Sequence, residues 1–253
     1  MLTIERRNQI YEILKRDGRV LVSDLSAMFG VTEETIRRDL EKMEKEGLAR
    51  KTYGGAILME NANTDIPFQV RKKSNVKGKE YIAEAISSLI DDGDHIMLDA
   101  SSTAVYIAKR LKNRKNLTLI TNSIEILLEL SDVTGWKILS TGGTLREGSL
   151  SLVGYQAEKM ISSFHVDKAI ISCKGIDEDK GITDSNEMDA HIKKLMLEST
   201  NMKILAVDNT KFDKISFTRI DDLSNIDVAV TDAEPNDRWK KTFETLNIQA
   251  MYK

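Results

Sequence analysis

The sequence predicts an α/β chain in two parts: a small helical domain, then a larger domain with a mostly parallel sheet. Three observations predict it. Residues 3–45 carry apolar side chains at helical spacing, interrupted by glycines. From about residue 75, short branched apolar runs alternate with helical stretches. Between them lies Asn61-Ala62-Asn63-Thr64-Asp65-Ile66-Pro67, polar, without periodicity, and holding one of only two prolines. At 253 residues, with 41% hydrophobic and 30% charged side chains, the chain is long enough for two cores. The boundaries expected are a first domain over 1–56, a linker over 57–74, a larger domain over 75–232 and an extension over 233–253. One cysteine, Cys173, excludes an internal disulfide and a multi-cysteine zinc site. No apolar run approaches the roughly 18 residues of a membrane helix. Met1-Leu2-Thr3-Ile4-Glu5-Arg6-Arg7 has no apolar core behind its charges, so a secretory leader is not expected and a cytoplasmic location is.

In the first part, Ile4, Ile10, Tyr11, Ile13 and Leu14 mark a helix over 3–17 that Asp17-Gly18 ends. Val20 and Val22 read as a short extended piece. Ser23 offers an N-cap for a second helix containing Leu25, Met28 and Phe29, stopped by Gly30. Thr32 caps a third, whose buried face is Ile36, Leu40 and Met43 and whose end is Gly47. Two short helices joined by a glycine-containing turn make a helix-turn-helix. Leu48 to Ala56 then reads as a basic hairpin, or wing.

The net charge of −3 gives no hint of a nucleic-acid partner, but its placement does. Residues 1–56 hold eleven basic against ten acidic residues, and Arg37-Arg38 and Arg50-Lys51 are tight basic pairs. Phe68 to Lys79 carries Arg71, Lys72, Lys73, Lys77 and Lys79 and no acid. With Ile36, Leu40 and Met43 inward, Thr35, Arg37 and Arg38 project elsewhere, where arginine can bond a guanine edge bidentately. Arg50 and Lys51 on a wing suit phosphates or the minor groove. The plainer reading is a solvated helix face on which Asp39 and Glu41 partly neutralise the arginines.

Val31-Thr32-Glu33-Glu34-Thr35-Ile36-Arg37-Arg38-Asp39-Leu40, then Glu44-Lys45-Glu46-Gly47-Leu48 and Arg50-Lys51-Thr52-Tyr53-Gly54-Gly55-Ala56, resemble the DeoR family of bacterial transcriptional regulators. Tyr53 stands where that family often has histidine. The resemblance implies a winged helix-turn-helix bound to double-stranded operator DNA. The candidate DNA-binding residues are Ser23, Thr32, Glu33, Thr35, Arg37, Arg38, Arg50, Lys51, Tyr53, Gly54 and Gly55.

In the second part, strands are expected at Ile96–Leu98, Leu117–Ile120, Trp136–Leu139, Ala169–Ile171, Ile204–Val207 and Val228–Val230. Helices are expected around 80–90, 103–113, 123–131, 155–163 and 189–200, and Pro235 should open a further C-terminal helix. Ligands of such sheets bind beyond the carboxyl ends of the strands, where the sequence places polar turns: Asp99-Ala100-Ser101-Ser102-Thr103, Thr121-Asn122-Ser123, Thr141-Gly142-Gly143, Lys174-Gly175 and Asp208-Asn209-Thr210-Lys211. Hydroxyls and free N–H groups at a helix start suit an anion, and lysine meets phosphate as a point charge. Taken singly, Thr103 and Ser123 read better as helix caps, and Asp189 with Lys193, four apart, as a surface pair.

The resemblance extends over residues 75–232, which look like a DeoR-type sensor domain, similar in fold to ribose-5-phosphate isomerases and expected to bind a phosphorylated sugar or sugar metabolite. The family's D-x-G-T-T loop corresponds to Asp99 to Thr103, with Ser101 at the glycine. T-N-S stands at Thr121 to Ser123, the glycine pair at Gly142-Gly143, E-A-x-x-K at Asp189 to Lys193 and D-x-x-K at Asp208 to Lys211. The candidate effector residues are Asp99, Ser101, Ser102, Thr103, Thr121, Asn122, Ser123, Gly142, Gly143, Lys174, Gly175, Asp184, Asp189, Lys193, Asp208 and Lys211.

The reading is a DNA-binding repressor of a carbohydrate-metabolism operon, acting as a homodimer or homotetramer without cofactor, metal or membrane. The alternative is a sugar-phosphate isomerase-like enzyme with an appended DNA-binding domain, using Asp99, Asp184 or Asp189 as base and Lys174 or Lys211 as donor. No Ser–His–Asp spacing or HExxH motif supports other catalysis, and His95, His165 and His191 share no ligand spacing.

Overall fold

A computed structural model describes residues 2–58 and 67–253. The chain divides into two units, Met1–Ser74 and Asn75–Lys253.

The first unit begins with α1 (Thr3–Asp17), ended by Gly18 in the left-handed region. β1 (Arg19–Leu21) leads into α2 (Val22–Phe29), and α3 (Glu33–Lys45) follows after Gly30. β2 (Ala49–Thr52) and β3 (Gly55–Leu58) form the wing, with strand order β1-β3-β2. Ile10, Leu14, Leu25, Ile36, Leu40 and Met43 close the core. Two expectations fail at α2. Val22 is helical and buried, and the N-cap is Leu21, so Ser23 lies inside the first turn. Met28 lies in this helix as expected, on its outer face at 61% exposure, while Leu25 fills the inward stripe.

The expected linker also differs. Ile57 and Leu58 complete β3, paired with Arg19, Arg50 and Ala49. Phe68–Lys73 forms a short helix, α4, with Phe68 buried. Residues 59–66 of that linker lie outside the described residues.

The second unit opens with α5 (Val76–Ser87), which contains Lys77 and Lys79 of the basic stretch. Lys79 is only 4% exposed, inside the packed helix and not on a solvated linker. Then follow β4 (His95–Leu98), α6 (Ser102–Leu111), β5 (Thr118–Thr121), α7 (Ile124–Glu129) and β6 (Lys137–Ser140). A hairpin, β7 (Thr144–Arg146) and β8 (Ser151–Val153), precedes α8 (Tyr155–Ser162) and β9 (Val166–Ile171). β10 (Gly175–Asp177), β11 (Gly181–Asp184), α9 (Glu187–Glu198), β12 (Thr200–Ala206), β13 (Thr218–Asp221), β14 (Val228–Val230), α10 (Asp237–Thr245) and β15 (Gln249–Met251) complete it.

The main sheet has seven parallel strands in the order β15-β14-β12-β9-β4-β5-β6. All six expected strands lie in it. The chain runs outward from β4 to β5 and β6, then returns to β9 on the other side of β4. The order therefore reverses between β4 and β9, and in open sheets of this kind ligands bind beyond the carboxyl ends at such a reversal. A smaller antiparallel sheet, β10-β11-β13, stands beside it.

Residues 233–253 are no extension. β15 pairs with β14, and Trp239 and Phe243 of α10 are buried beside Phe212, with ring centroids 5.0 Å (Phe212–Trp239) and 5.6 Å (Trp239–Phe243) apart. Pro235 precedes the N-cap, Asn236, instead of opening the helix: Asn236 accepts from the Trp239 N–H at 3.0 Å. Among the described residues no helix is long and apolar enough to cross a membrane.

Candidate functional site

In the first unit, Thr32 starts α3. Its hydroxyl accepts from the Thr35 N–H at 3.3 Å and meets the Thr35 hydroxyl at 2.9 Å, so both threonines are engaged in capping. Arg37 pairs with Glu33 at 2.5 Å and Arg38 with Glu34 at 3.2 Å, all on the exposed face. Exposed i,i+4 pairs are worth only about 0.3–0.5 kcal/mol, so both arginines exchange partners cheaply. Asp39 does not neutralise them. It is buried and bonds Arg6 at 2.5 Å, joining α3 to α1, while Glu41 pairs with Lys45.

The wing turns at Tyr53-Gly54, with Gly54 at φ 83° and Tyr53 fully exposed. Gly55 is fixed by packing: a Cβ there would sit 2.0 Å from the Val20 carbonyl oxygen. Arg50 and Lys51 are exposed, and among the described residues their side chains have no ion-pair partner. Arg50 and Arg19 both register with Ile57, so they share one face of the wing sheet. Sequence reasoning missed Arg19. Its signal is the pairing of the residue after Gly18 with β3, which local pattern does not reveal. Among the described residues the Ser23 hydroxyl bonds only its neighbour Asp24.

In the second unit the polar turns converge on the carboxyl edge of the main sheet, and the strand-order reversal is at their centre. Asp99, 1% exposed, accepts from the Ser101 N–H at 3.1 Å and from the Ser172 N–H at 2.9 Å, bridging the ends of β4 and β9. Lys193 reaches this floor from α9. Its ammonium lies 3.4 Å from Asp99, donates to the Ser172 carbonyl at 2.9 Å and bonds Asp184. The Asp189–Lys193 surface pair is therefore overturned: Lys193 is buried, and Asp189 instead holds Arg146 and the Ser151 hydroxyl, each at 2.7 Å. Burial pushes the Asp184 carboxyl up, but the charges of Lys193 and Lys174 together with its hydrogen bonds to Lys193 and the Ser185 N–H outweigh it, and its pKa falls. Burial likewise works against the Lys193 ammonium, and Asp184 with Asp99 outweighs it, so its pKa rises.

Ser101 caps α6, accepting from the Ala104 N–H at 3.0 Å. Ser102 and Thr103 follow in the first turn, buried, their hydroxyls without a hydrogen bond among the described residues. Thr121 donates to the Leu98 carbonyl at 2.7 Å and accepts from the Ser123 N–H, and Ser123 caps α7. Both are structural. Asn122 differs: its Nδ2 donates to the Leu152 carbonyl at 3.1 Å, while its buried Oδ1 has no partner among the described residues. Such an atom is costly to leave unmatched.

Gly142 faces open space at φ 62°. Gly143 is a packing requirement, because a Cβ would lie 2.6 Å from the Val153 carbonyl oxygen. Gly175 is not at a main-sheet strand end. It begins β10, where a Cβ would meet the Lys214 carbonyl oxygen at 2.2 Å. Lys174 donates its backbone N–H to the Thr183 carbonyl, and its charge helps lower the Asp184 pKa. Asp208 caps a 3-10 turn, Asn209–Lys211, accepting from the Thr210 N–H at 3.0 Å. The Lys211 ammonium has no partner among the described residues. Cys173, which sequence reasoning passed over, lies within the electrostatic reach of Lys193, Asp184, Lys211 and Asp208; burial pushes its thiol up to about 12. The edge thus joins a charge-balanced carboxylate–lysine floor to an uncommitted cation, an orphaned amide oxygen and the start of α6.

A profile described as the DeoR C terminal sensor domain matches residues 74–233, and one described as the DeoR-like helix-turn-helix domain matches residues 6–62. The chain belongs to the DeoR family of transcriptional regulators. This DeoR-family chain is 42% identical to the HTH-type transcriptional regulator YulB of Bacillus subtilis, over 92% of its own length and 90% of that protein. It is 29% identical to the glycerol-3-phosphate regulon repressor of Escherichia coli, over 93% of each. Of solved structures, ribose 5-phosphate isomerase A of Methanocaldococcus jannaschii aligns over 55% of each chain, with 19% identity and a TM-score of 0.42. At that score the likeness carries no weight for function.

Proposed function

We propose that this DeoR-family chain is an operator-binding repressor of a carbohydrate-metabolism operon, released or engaged by a phosphorylated sugar held at the carboxyl edge of the main sheet. The observation that carries the ligand reading is the Asn122 Oδ1, which follows β5 at the carboxyl edge of the main sheet and is buried without a partner among the described residues. Asn122 serves a sugar hydroxyl, while Lys211 and the first turn of α6 serve the phosphate. The name of the glycerol-3-phosphate regulon relative supports a phosphorylated effector. For DNA, Arg37 and Arg38 read base edges, and Arg19, Arg50 and Lys51 contact phosphates. Paired half-sites call for a dimer or tetramer in the cytoplasm.

The isomerase alternative needs a carboxylate free to act as base. Asp99 and Asp184 are held by Lys193, and Asp189 by Arg146 and Ser151, so each proposed base is already bonded.

A gel-shift salt titration tests the DNA reading. Arg50→Ala should flatten the log–log slope by about 0.9 for one lost phosphate contact. Arg38→Ala should weaken specific binding by about 1–3 kcal/mol and spare random duplex. An unchanged slope, or equal losses on both duplexes, would overturn those roles.

A further inference from the structure

Asp232 follows β14, and its two oxygens hold two different elements. Oδ1 accepts from the Asn209 N–H at 2.8 Å, and Oδ2 accepts from the Asn75 side-chain amide at 2.8 Å. Asn209 belongs to the 3-10 turn that Asp208 caps and Lys211 ends. Asn75 is the first residue of the second unit, one peptide bond from Ser74, the last of the first. It sits in the left-handed region, φ 46° and ψ 47°, where an N-cap residue is ordinarily extended. Its amide makes no cap bond and is turned to Asp232 instead, while its carbonyl accepts the first bond of α5, from the Lys79 N–H at 3.1 Å.

Gly78 lies against this bridge. A Cβ there would stand 2.3 Å from Asp232 Oδ2 and 2.5 Å from Asn75 Nδ2, so only glycine leaves room for the carboxylate between the two asparagines. The carboxylate also faces the positive end of α5. A carboxylate bonded on both sides transmits displacement: when the Asn209 turn shifts, Asp232 either carries Asn75 with it or loses a bond.

We infer that Asp232 couples the ligand edge to the start of the second unit, so that occupancy at Asp208–Lys211 reaches the DNA-binding unit through Asn75. The inference rests on the ligand reading given above. It makes Asp232 and Asn75 positioning residues that touch neither ligand nor DNA. A ligand that binds one position of the turn more tightly then shifts the population of both ends.

Amide exchange on the full chain tests the coupling without any ligand. Asp208→Ala loosens the 3-10 turn and should speed exchange at Asn209 and, across the bridge, at Lys79. In an Asn75→Gly background, which keeps the left-handed backbone and removes the amide, Asp208→Ala should speed Asn209 alone. A Lys79 response that is absent in both backgrounds, or equal in both, overturns the coupling. A second arm adds glycerol 3-phosphate and glucose 6-phosphate as probes, with a duplex selected from random sequence as the operator. A probe that changes operator affinity in the wild type, by the roughly 5–150-fold usual for coupled sites, should bind Asn75→Gly unchanged and no longer alter its operator affinity. If the probe still alters it as in the wild type, the coupling is overturned. If neither probe binds while exchange is still transmitted, the coupling stands and the ligand reading for these sugars fails.

Discussion

Replacing Lys193 by methionine probes the centre of the candidate site. Methionine matches the length of the stem but not its charge, and it leaves Asp99 and Asp184, 1% and 2% exposed, without their cation. Asp99 keeps two backbone donors, and Asp184 keeps the Ser185 N–H at 2.7 Å. Removing one partner of a buried pair costs about 3–5 kcal/mol. For a unit of this size each kcal/mol moves Tm by about 2–4 °C, so the loss should be about 6–20 °C. The pH dependence follows from the shifts. The Asp184 pKa is depressed, so its stabilisation is present above about pH 4 and is lost as pH falls through the folded value; the Lys193 pKa is raised, so its share persists up to about pH 10 and is lost above. Without Lys193, burial is left to raise the Asp184 pKa, and protonation relieves the variant in acid. Melting followed by circular dichroism at pH 7 and pH 4.5 should show a deficit that shrinks at the lower pH. A Tm within about 2 °C of wild type at pH 7, or a deficit that grows in acid, would refute the buried triad.

Three further outcomes follow from packing and burial. Trp239→Ala should destabilise the second unit by about 3–5 kcal/mol, because it empties the ring cluster with Phe212 and Phe243; a change under about 0.5 kcal/mol in urea denaturation would contradict that packing. Cys173, with its pKa pushed up to about 12 by burial, should resist an aromatic disulfide reagent at pH 8 until the chain unfolds, and fast labelling of the native protein would contradict that burial. Gly55→Ala should open the β1–β3 pairing, since the added methyl meets the Val20 carbonyl, and operator binding should fall with it; a variant with native melting and native operator affinity would contradict the close approach.

The six core strands and five of the helices were legible because buried parallel strands are branched apolar runs separated by whole helices. Legibility fell where tertiary pairing decides. β7, β8, β10, β11, β13 and β15 are three- or four-residue strands whose partners lie far along the chain or across a tight hairpin, and they carry no periodicity of their own. Apart from Gly175, which begins β10, the polar turns follow the carboxyl ends of main-sheet strands, but residue type did not separate structural from available groups. Thr121, Ser123 and Gly143 are engaged in bonds or close packing, whereas Asn122 Oδ1 and Lys211 remain open. Asp189 and Lys193 show the same limit. Four residues apart on α9, they read as a pair, yet each is claimed by a partner from elsewhere in the fold: Arg146 and Ser151 for one, Asp99 and Asp184 for the other. Asp232 and Asn75, 157 residues apart, gave no local sign of meeting.

The central claim is that one chain binds a duplex through its first unit and adjusts that affinity through a phosphorylated sugar at the sheet edge of its second. Fluorescence anisotropy of a labelled operator, titrated with full-length protein with and without phosphorylated sugars, tests it most directly. At least one sugar phosphate should change the operator Kd by about 5–150-fold, and Lys211→Ala should abolish that change while leaving sugar-free operator binding intact. Operator binding indifferent to every phosphorylated sugar, including those that bind the protein, would contradict the account.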